Sequence, residues 1–177
     1  VGSEMCIRDR LYTIVSQQIS TDAARAIMRR VVEQMGSMAP AALLALNSQQ
    51  LRGAGLSFRK IEYAQGLANA ICSGGLDIDS LASLNDEAAI DTLIQLRGFG
   101  RWSAEIYVMF SLGRQDIFPA DDLALQVALG RLKGLEGRPT ARQSRELTQH
   151  WAPWRSVAAL FLWHYYGAST KARPVPK

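Results

Sequence analysis

Cysteine is scarce in this chain, with only Cys6 and Cys72 in 177 residues. Two thiols cannot build a disulfide framework, a four-cysteine zinc site or a cysteine-ligated iron–sulfur cluster, and they suit a reducing compartment. Histidine is equally rare: His150 and His164 have no spacing suited to a metal or a triad and read as structural. No apolar run approaches the ~20 residues that cross a bilayer, and no apolar stretch with a cleavage site marks a signal peptide. Pro/Ser linkers, internal repeats, low-complexity tracts and a convincing period-two alternation are all missing, which excludes a β-rich or repeat architecture. What is there, 48% hydrophobic and 20% charged residues, describes a soluble globular protein of one or two small lobes.

Charge is unevenly placed. Residues 11–96 carry 6 Lys+Arg against 8 Asp+Glu, a net of −2, whereas residues 97–177 carry 12 against 6, a net of +6. Such a half is either a solvated face or the footprint of a polyanion partner. The first ten residues, VGSEMCIRDR, lack the apolar periodicity that begins at Leu11 and resemble a translated sequencing adapter, so residues 1–10 are expected to be non-native.

From Leu11 onward helices follow one another, and their ends can be read from caps. Leu11–Gln18 reads as the end of one helix; Ser20-Thr21-Asp22 caps a second, which Gly36 stops at Met35. Further helices are expected from Pro40 to Leu46, through a short turn capped by Asn47 or Ser48 and broken at Gly53-Ala54-Gly55, and from Phe58 to about Ser73 behind Ser57. Asn85 caps Asp86–Gln95, and Arg101–Leu112, Asp122–Leu132, Thr140–His150 and Pro153–Tyr166 complete an all-α set, with Thr140 and Gln143 spaced as a capping box. Residues 11–167 form the folded body, and residues 168–177 read as a flexible basic tail.

The most specific local feature is Leu96-Arg97-Gly98-Phe99-Gly100-Arg101-Trp102-Ser103-Ala104, lying between two predicted helices. Two glycines one residue apart allow positive φ and leave the backbone uncovered, so the Gly98–Trp102 amides can point outward together at a helix start. Such amides suit a phosphate; the alternative is a plain tight turn between packed helices.

These residues resemble the hairpin of the helix-hairpin-helix (HhH-GPD) DNA glycosylases, usually LPGhGxxTA, with Arg97 in place of the common proline. Phe118-Pro119-Ala120-Asp121-Asp122-Leu123 falls roughly twenty residues later, where that family carries its essential aspartate. Ile14-Val15-Ser16-Gln17-Gln18-Ile19-Ser20 and Trp151-Ala152-Pro153-Trp154-Arg155-Ser156 resemble segments of the 3-methyladenine DNA glycosylase II (AlkA-type) branch. The resemblance runs from Leu11 to Gly167 in order. It implies two helical lobes with the active cleft between them, a chain lacking the family's N-terminal helices, and a monomer acting on double-stranded damaged DNA with no membrane, in the bacterial cytoplasm or a eukaryotic nucleus.

The resemblance also implies roles. Cleaving an N-glycosidic bond puts positive charge on the deoxyribose, so an ionised carboxylate near C1′ stabilises the transition state and orients or deprotonates water. Asp122 takes that catalytic role, and Asp121 capping or support. Relatives that also cut the strand carry a nucleophilic lysine at the position of Trp102, and an indole cannot replace it; a monofunctional hydrolase follows. Aromatic walls favour a flipped, positively charged base. Trp102 and Trp163 are the wall candidates. Ile106 stands where some relatives have a pocket tyrosine, with Tyr107 beside it as a substitute, while Trp151 and Trp154 read as core.

Gln18 sits at the family's wedge position and Gln17 beside it, able to bond base edges or the flipped nucleotide. The hairpin from Gly98 through Phe99, Gly100, Arg101, Trp102 and Ser103 is the phosphate site, with Ser57, Arg59 and Lys60 as further phosphate candidates and Arg155, like Arg101, read as either a phosphate contact or a structural residue. No cofactor is required, although the family's hairpin often holds Na+ or K+ on backbone carbonyls, here those of Ile94, Leu96 and Phe99. The expected activity is hydrolytic release of 3-methyladenine and 7-methylguanine. Two alternatives stand beside it: a non-catalytic helix-hairpin-helix DNA-binding module, and a related glycosylase acting on deaminated purines.

Overall fold

The computed structural model describes residue 8, residues 11–17 and residues 19–171. The expectations for the first ten residues and for Gln18 therefore lie almost wholly outside the described residues, as do residues 172–177 of the tail. Among the described residues all regular structure is helical: α1 (residues 11–16), α2 (Thr21–Met35), α3 (Pro40–Ala45), α4 (Ser48–Ala54), α5 (Phe58–Cys72), α6 (Ile78–Ser83), α7 (Asp86–Ile94), α8 (Arg101–Phe110), α9 (Leu123–Leu132), α10 (Ala141–Thr148), a 3-10 turn (Gln149–Trp151) and α11 (Arg155–Lys171). None of these helices is long and apolar enough to cross a membrane.

Caps explain most boundaries. Ser20 accepts the Ala23 N–H at the start of α2, and Gly36, with φ 66°, closes it by donating to the Val32 carbonyl. Asn47 and Gln50 form a reciprocal capping box on α4, as Thr140 and Gln143 do on α10. Several ends differ from expectation. Helix α4 runs through Gly53, and Gly55, at φ 108°, is its terminator. Helix α6 was unexpected: Asp77 Oδ1 accepts the Ser80 N–H at 3.3 Å, a local cap too brief to stand out in the sequence. Asp122 lies outside α9 as its N-cap. Helix α11 passes through Gly167 to Lys171, so the start of the expected tail is helical.

The chain divides into two compact units, Val1–Tyr107 and Val108–Lys177. In the first, α2 packs on α4, and α3 and α4 pack on α5. Leu11, Val15, Val31, Leu43, Leu51, Leu56 and Ile61 meet in its core, each essentially excluded from water. In the second, α9 packs on α10 and α11, burying Leu125, Ala128, Leu129, Ala159 and Leu162. Burial of these side chains, at roughly 25 cal/mol per Å² of apolar surface, is the term that holds short helices in place. Leu51→Ala is expected to cost about 2–5 kcal/mol of unfolding free energy, read by chemical denaturation of the purified chain, because no neighbour can close the void at a fully buried site.

Candidate functional site

Within the first unit, a cavity of about 390 Å³ gathers Gln17, Ser57, Arg59, Lys60, Tyr63, Gly98, Gly100, Trp102 and Ser103. These positions are far apart in the chain, yet all but Tyr63 were singled out by sequence. The starts of two helices supply the cavity's polar wall: α5, capped by the Ser57 hydroxyl accepting the Lys60 N–H at 3.3 Å, and α8, entered through the hairpin. The two hairpin glycines do different work. Gly98 has φ 95°, and a Cβ there would fall inside the ring of Tyr63, so both backbone and space demand glycine. A Cβ on Gly100 would meet open space; the missing side chain leaves the backbone uncovered.

The Phe99 amide was expected to face a phosphate. It donates instead to the Leu96 carbonyl at 3.0 Å, closing the turn, and its ring is buried. Helix α8 begins with the Ala104 N–H bonded to the Gly100 carbonyl at 3.0 Å, so the amides of Arg101, Trp102 and Ser103 precede the first intrahelical bond and make up the electropositive end.

Gln17, placed in the sequence beside the wedge position, is engaged within the protein. Its amide nitrogen donates to the Gly98 carbonyl at 3.3 Å and to Ser103 Oγ at 3.0 Å, bracing the hairpin from α1. Lys60 spends one N–H on the Val15 carbonyl at 2.7 Å, and burial lowers its pKa below the ordinary lysine value. Its remaining two donors keep it a phosphate candidate, beside Arg59.

Arg101 is engaged by two carboxylates. Its guanidinium grips both oxygens of Glu87 at 2.9 Å and bonds buried Glu105 at 2.9 Å. Burial works against its charge, but the bonds and charges of Glu87 and Glu105 outweigh it and raise its pKa. Tyr107, offered as a substitute pocket wall, is fully buried in the core and presents no face to a base; Ile106 beside it is half-buried.

In the second unit the loop ahead of α9 is stapled from three helices. Asp122 Oδ1 accepts the Leu125 N–H at 2.9 Å and the Trp163 indole N–H at 3.1 Å. Gln126 reaches back to the Ala120 carbonyl at 2.7 Å. Ser156 Oγ accepts from the Ile117 N–H at 2.9 Å and donates to the Arg114 carbonyl at 2.7 Å. Capping, expected of Asp121, falls to Asp122, while Asp121 pairs with Arg145 at 2.6 Å. Trp163 stacks on Phe110, centroids 5.9 Å apart at 25°, setting an aromatic surface beside the carboxylate. Phe110 is exposed and was not foreseen; its place at the end of an apolar helix gave no signal.

Arg155, a phosphate candidate in the sequence, is bidentate on Asp116 at 2.7 and 2.8 Å. Trp154 lies on the surface rather than in the core, while Trp151 is partly buried against Phe118.

The model of the HhH-GPD superfamily of base excision DNA repair proteins matches residues 11–153, and the chain belongs to that family. Within it, the chain is 32% identical over 166 residues to DNA-3-methyladenine glycosylase 1 of Schizosaccharomyces pombe, covering 92% of this chain and 73% of that protein. It is also 32% identical to a putative DNA-3-methyladenine glycosylase of Bacillus subtilis, over 85% of this chain; it spans 55% of that relative's length. Among solved structures, the S. pombe 3-methyladenine DNA glycosylase bound to abasic DNA superposes with a TM-score of 0.84 at 30% identity, over 97% of this chain and 84% of that one. A DNA-3-methyladenine glycosidase from Bacillus halodurans gives 0.81 at 34% identity, over 94% and 78%.

Two outcomes follow from the geometry. Gly98→Ala is expected to destabilise the first unit by more than about 1 kcal/mol, since it adds positive-φ strain to a clash with Tyr63; thermal unfolding of Gly98→Ala beside Gly100→Ala, which should be nearly silent, checks it. The Arg155 hydrogen bond, ahead of all other influences, holds Asp116 below its ordinary 3.8. A carboxyl so held stabilises the fold above 3.8 and loses that contribution as pH falls through the lowered value. Arg155→Ala should therefore cost about 1 kcal/mol near neutral pH, discounted for partial exposure, and the gap to wild type should shrink in denaturation series taken below 3.8.

Proposed function

We propose that this protein is a monofunctional DNA glycosylase that hydrolyses the N-glycosidic bond of alkylated bases, 3-methyladenine and also 7-methylguanine, in duplex DNA. The observation that carries the reading is the Asp122 carboxylate, held by the start of α9 on one side and the indole of Trp163 on the other. An anion placed beside the deoxyribose stabilises the positive charge that develops as the base leaves, and it orients the water that attacks C1′. The stacked Trp163 and Phe110 give an electron-rich surface beside the same carboxylate, suited to a base carrying positive charge on its ring. Trp102 and Ile106 on α8 are proposed as further base contacts.

Trp102 stands where relatives that cut the strand carry their lysine. An indole forms no Schiff base, which supports hydrolysis by water and an intact strand around the abasic product. The uncovered Gly100 backbone and the first amides of α8, with Ser57, Arg59 and Lys60 across the same cavity, support contact with the DNA backbone. The carbonyls of Ile94, Leu96 and Phe99 carry the part of the proposal that concerns Na+ or K+; Leu96 already accepts the Phe99 N–H and keeps a second lone pair. The protein acts as a monomer where genomic DNA lies, in the bacterial cytoplasm or a nucleus. The likeness to the DNA-3-methyladenine glycosylases of S. pombe and B. subtilis supports the substrate class.

The test is release of methylated bases from duplex DNA. Wild type is expected to release 3-methyladenine with no borohydride-trapped intermediate, and Asp122→Asn, which keeps the helix cap, to fall by roughly a hundredfold or more. Equal release by the variant sinks the assignment of Asp122. Binding without release favours a DNA-binding module, and release confined to deaminated purines favours the other glycosylase.

A further inference from the structure

Arginine 145 does not use the carboxylate nearest to it in sequence. On α10 the neighbouring Arg142 pairs with Glu146 one turn on, at 3.0 Å between largely exposed side chains. Arg145 instead reaches 24 residues back to Asp121, at 2.6 Å, with side chains 40% and 45% exposed. The helix beneath it is rigid. Its first turn is closed by the Thr140–Gln143 capping box, and the buried Thr148 hydroxyl bonds the carbonyls of Ser144 and Arg145 at 2.8 and 3.3 Å. Asp121 precedes the residue whose carboxylate is held by α9 and Trp163. At that point the backbone is a turn, closed by the Asp122 N–H on the Pro119 carbonyl at 2.9 Å.

Asp122 Oδ1 must meet two donors carried by different helices, Leu125 N–H on α9 and Trp163 Nε1–H on α11. Both bonds need the turn to deliver the Cα of Asp122 to one place. Gln126 pins the carbonyl of Ala120 at 2.7 Å, and Asp121 anchors the turn through its own side chain. A charge-assisted contact at this distance is short and directional. Broken, it releases the residue adjoining Asp122 on the side away from α9.

We propose that Arg145 is a positioning residue: through Asp121 it sets the place of the Asp122 carboxylate, so that this oxygen meets the Trp163 indole and, on the reading proposed above, the reacting sugar. The proposal rests on that reading only for its catalytic consequence. The effect on the Asp122–Trp163 bond stands without it.

The experiment has two arms on the full chain. In the first, the indole N–H resonance of Trp163, assigned by its disappearance in Trp163→Phe, is followed by 1H–15N NMR. Arg145→Ala and Asp121→Ala should each shift it and speed its exchange with solvent, Arg145→Lys should restore part of the wild-type position, and Arg142→Ala should leave it unmoved. The Arg145→Ala/Asp121→Ala pair should be no worse than either single change, since both remove one contact. In the second arm, base release by Arg145→Ala should show kcat lowered about tenfold with KM near wild type, as expected of a misplaced group rather than a lost DNA contact. An unchanged Trp163 resonance in Arg145→Ala overturns the proposal whatever the activity. So does a raised KM with kcat intact, which would make Arg145 a contact to the DNA backbone. Absence of base release by wild type would count against the proposed function alone, and the NMR arm would still decide the role of Arg145.

Discussion

One carboxylate oxygen, Oδ1 of Asp122, closes the second unit's polar framework. It satisfies an orphan amide at the start of α9 and the indole N–H of α11, and each of those donors, left buried without a partner, would cost about 1–3 kcal/mol. Because the two donors belong to different helices, the bond works only if α9 and α11 pack in one register. The burial of Leu125, Ala128, Leu129, Ala159 and Leu162 supplies that register. The bonds from Gln126, Ser156, Arg145 and Arg155 to the loop before α9 are best understood as what the oxygen requires: the loop has no helix of its own, and every backbone group in it must be met from elsewhere.

The first unit solves the same problem differently. Its hairpin is closed locally by the Phe99–Leu96 bond and is then held from outside on two sides, by the Tyr63 ring filling the space a Gly98 side chain would take and by the Gln17 amide bonding Gly98 and Ser103. The hairpin is thus rigid while its outer backbone at Gly100 stays bare. That combination suits a loop that must meet a phosphate without rearranging, because ordering a mobile loop on binding would subtract from affinity.

How much of this was legible follows from where the information lies. Caps and turns are written within a few residues, so Ser20, Asn47, Ser57, Asn85 and Thr140 marked helix starts correctly, Gly36 marked the end of α2, and Gly98 marked the hairpin turn. The family's motifs are equally local, and the hairpin and Asp122 stood out for that reason. Partners are a different matter. Arg101 with Glu87, Arg145 with Asp121 and Arg155 with Asp116 join residues 14, 24 and 39 positions apart, and no spacing rule reaches that far. The bonds of Gln17 to the hairpin were not foreseen, because their partners lie more than 80 positions away. Tyr107 and Trp154 were misjudged in opposite directions, since which face of an apolar helix is buried depends on neighbours that composition does not show. Glu105, at i+4 from Arg101, did carry a local signal that the positive residue was already matched.

The basic half of the chain takes on a different meaning once these partners are known. Among residues 97–177, Arg97, Arg101, Arg142, Arg145 and Arg155 each sit on a carboxylate. Their guanidinium groups already have carboxylate partners, so the positive charge cannot be read as a row of unpaired side chains waiting for phosphates. The pairs cancel locally, yet the net of +6 over this stretch remains, and a field of that sign acts at long range to draw in a polyanion whatever the short-range bonds are. On the proposed function, close contact with phosphates would fall to the first amides of α8, assisted by Lys60 and Arg59 at the same cavity. Long-range attraction and close contact would then rest on different groups, and the paired arginines would be free to act as struts.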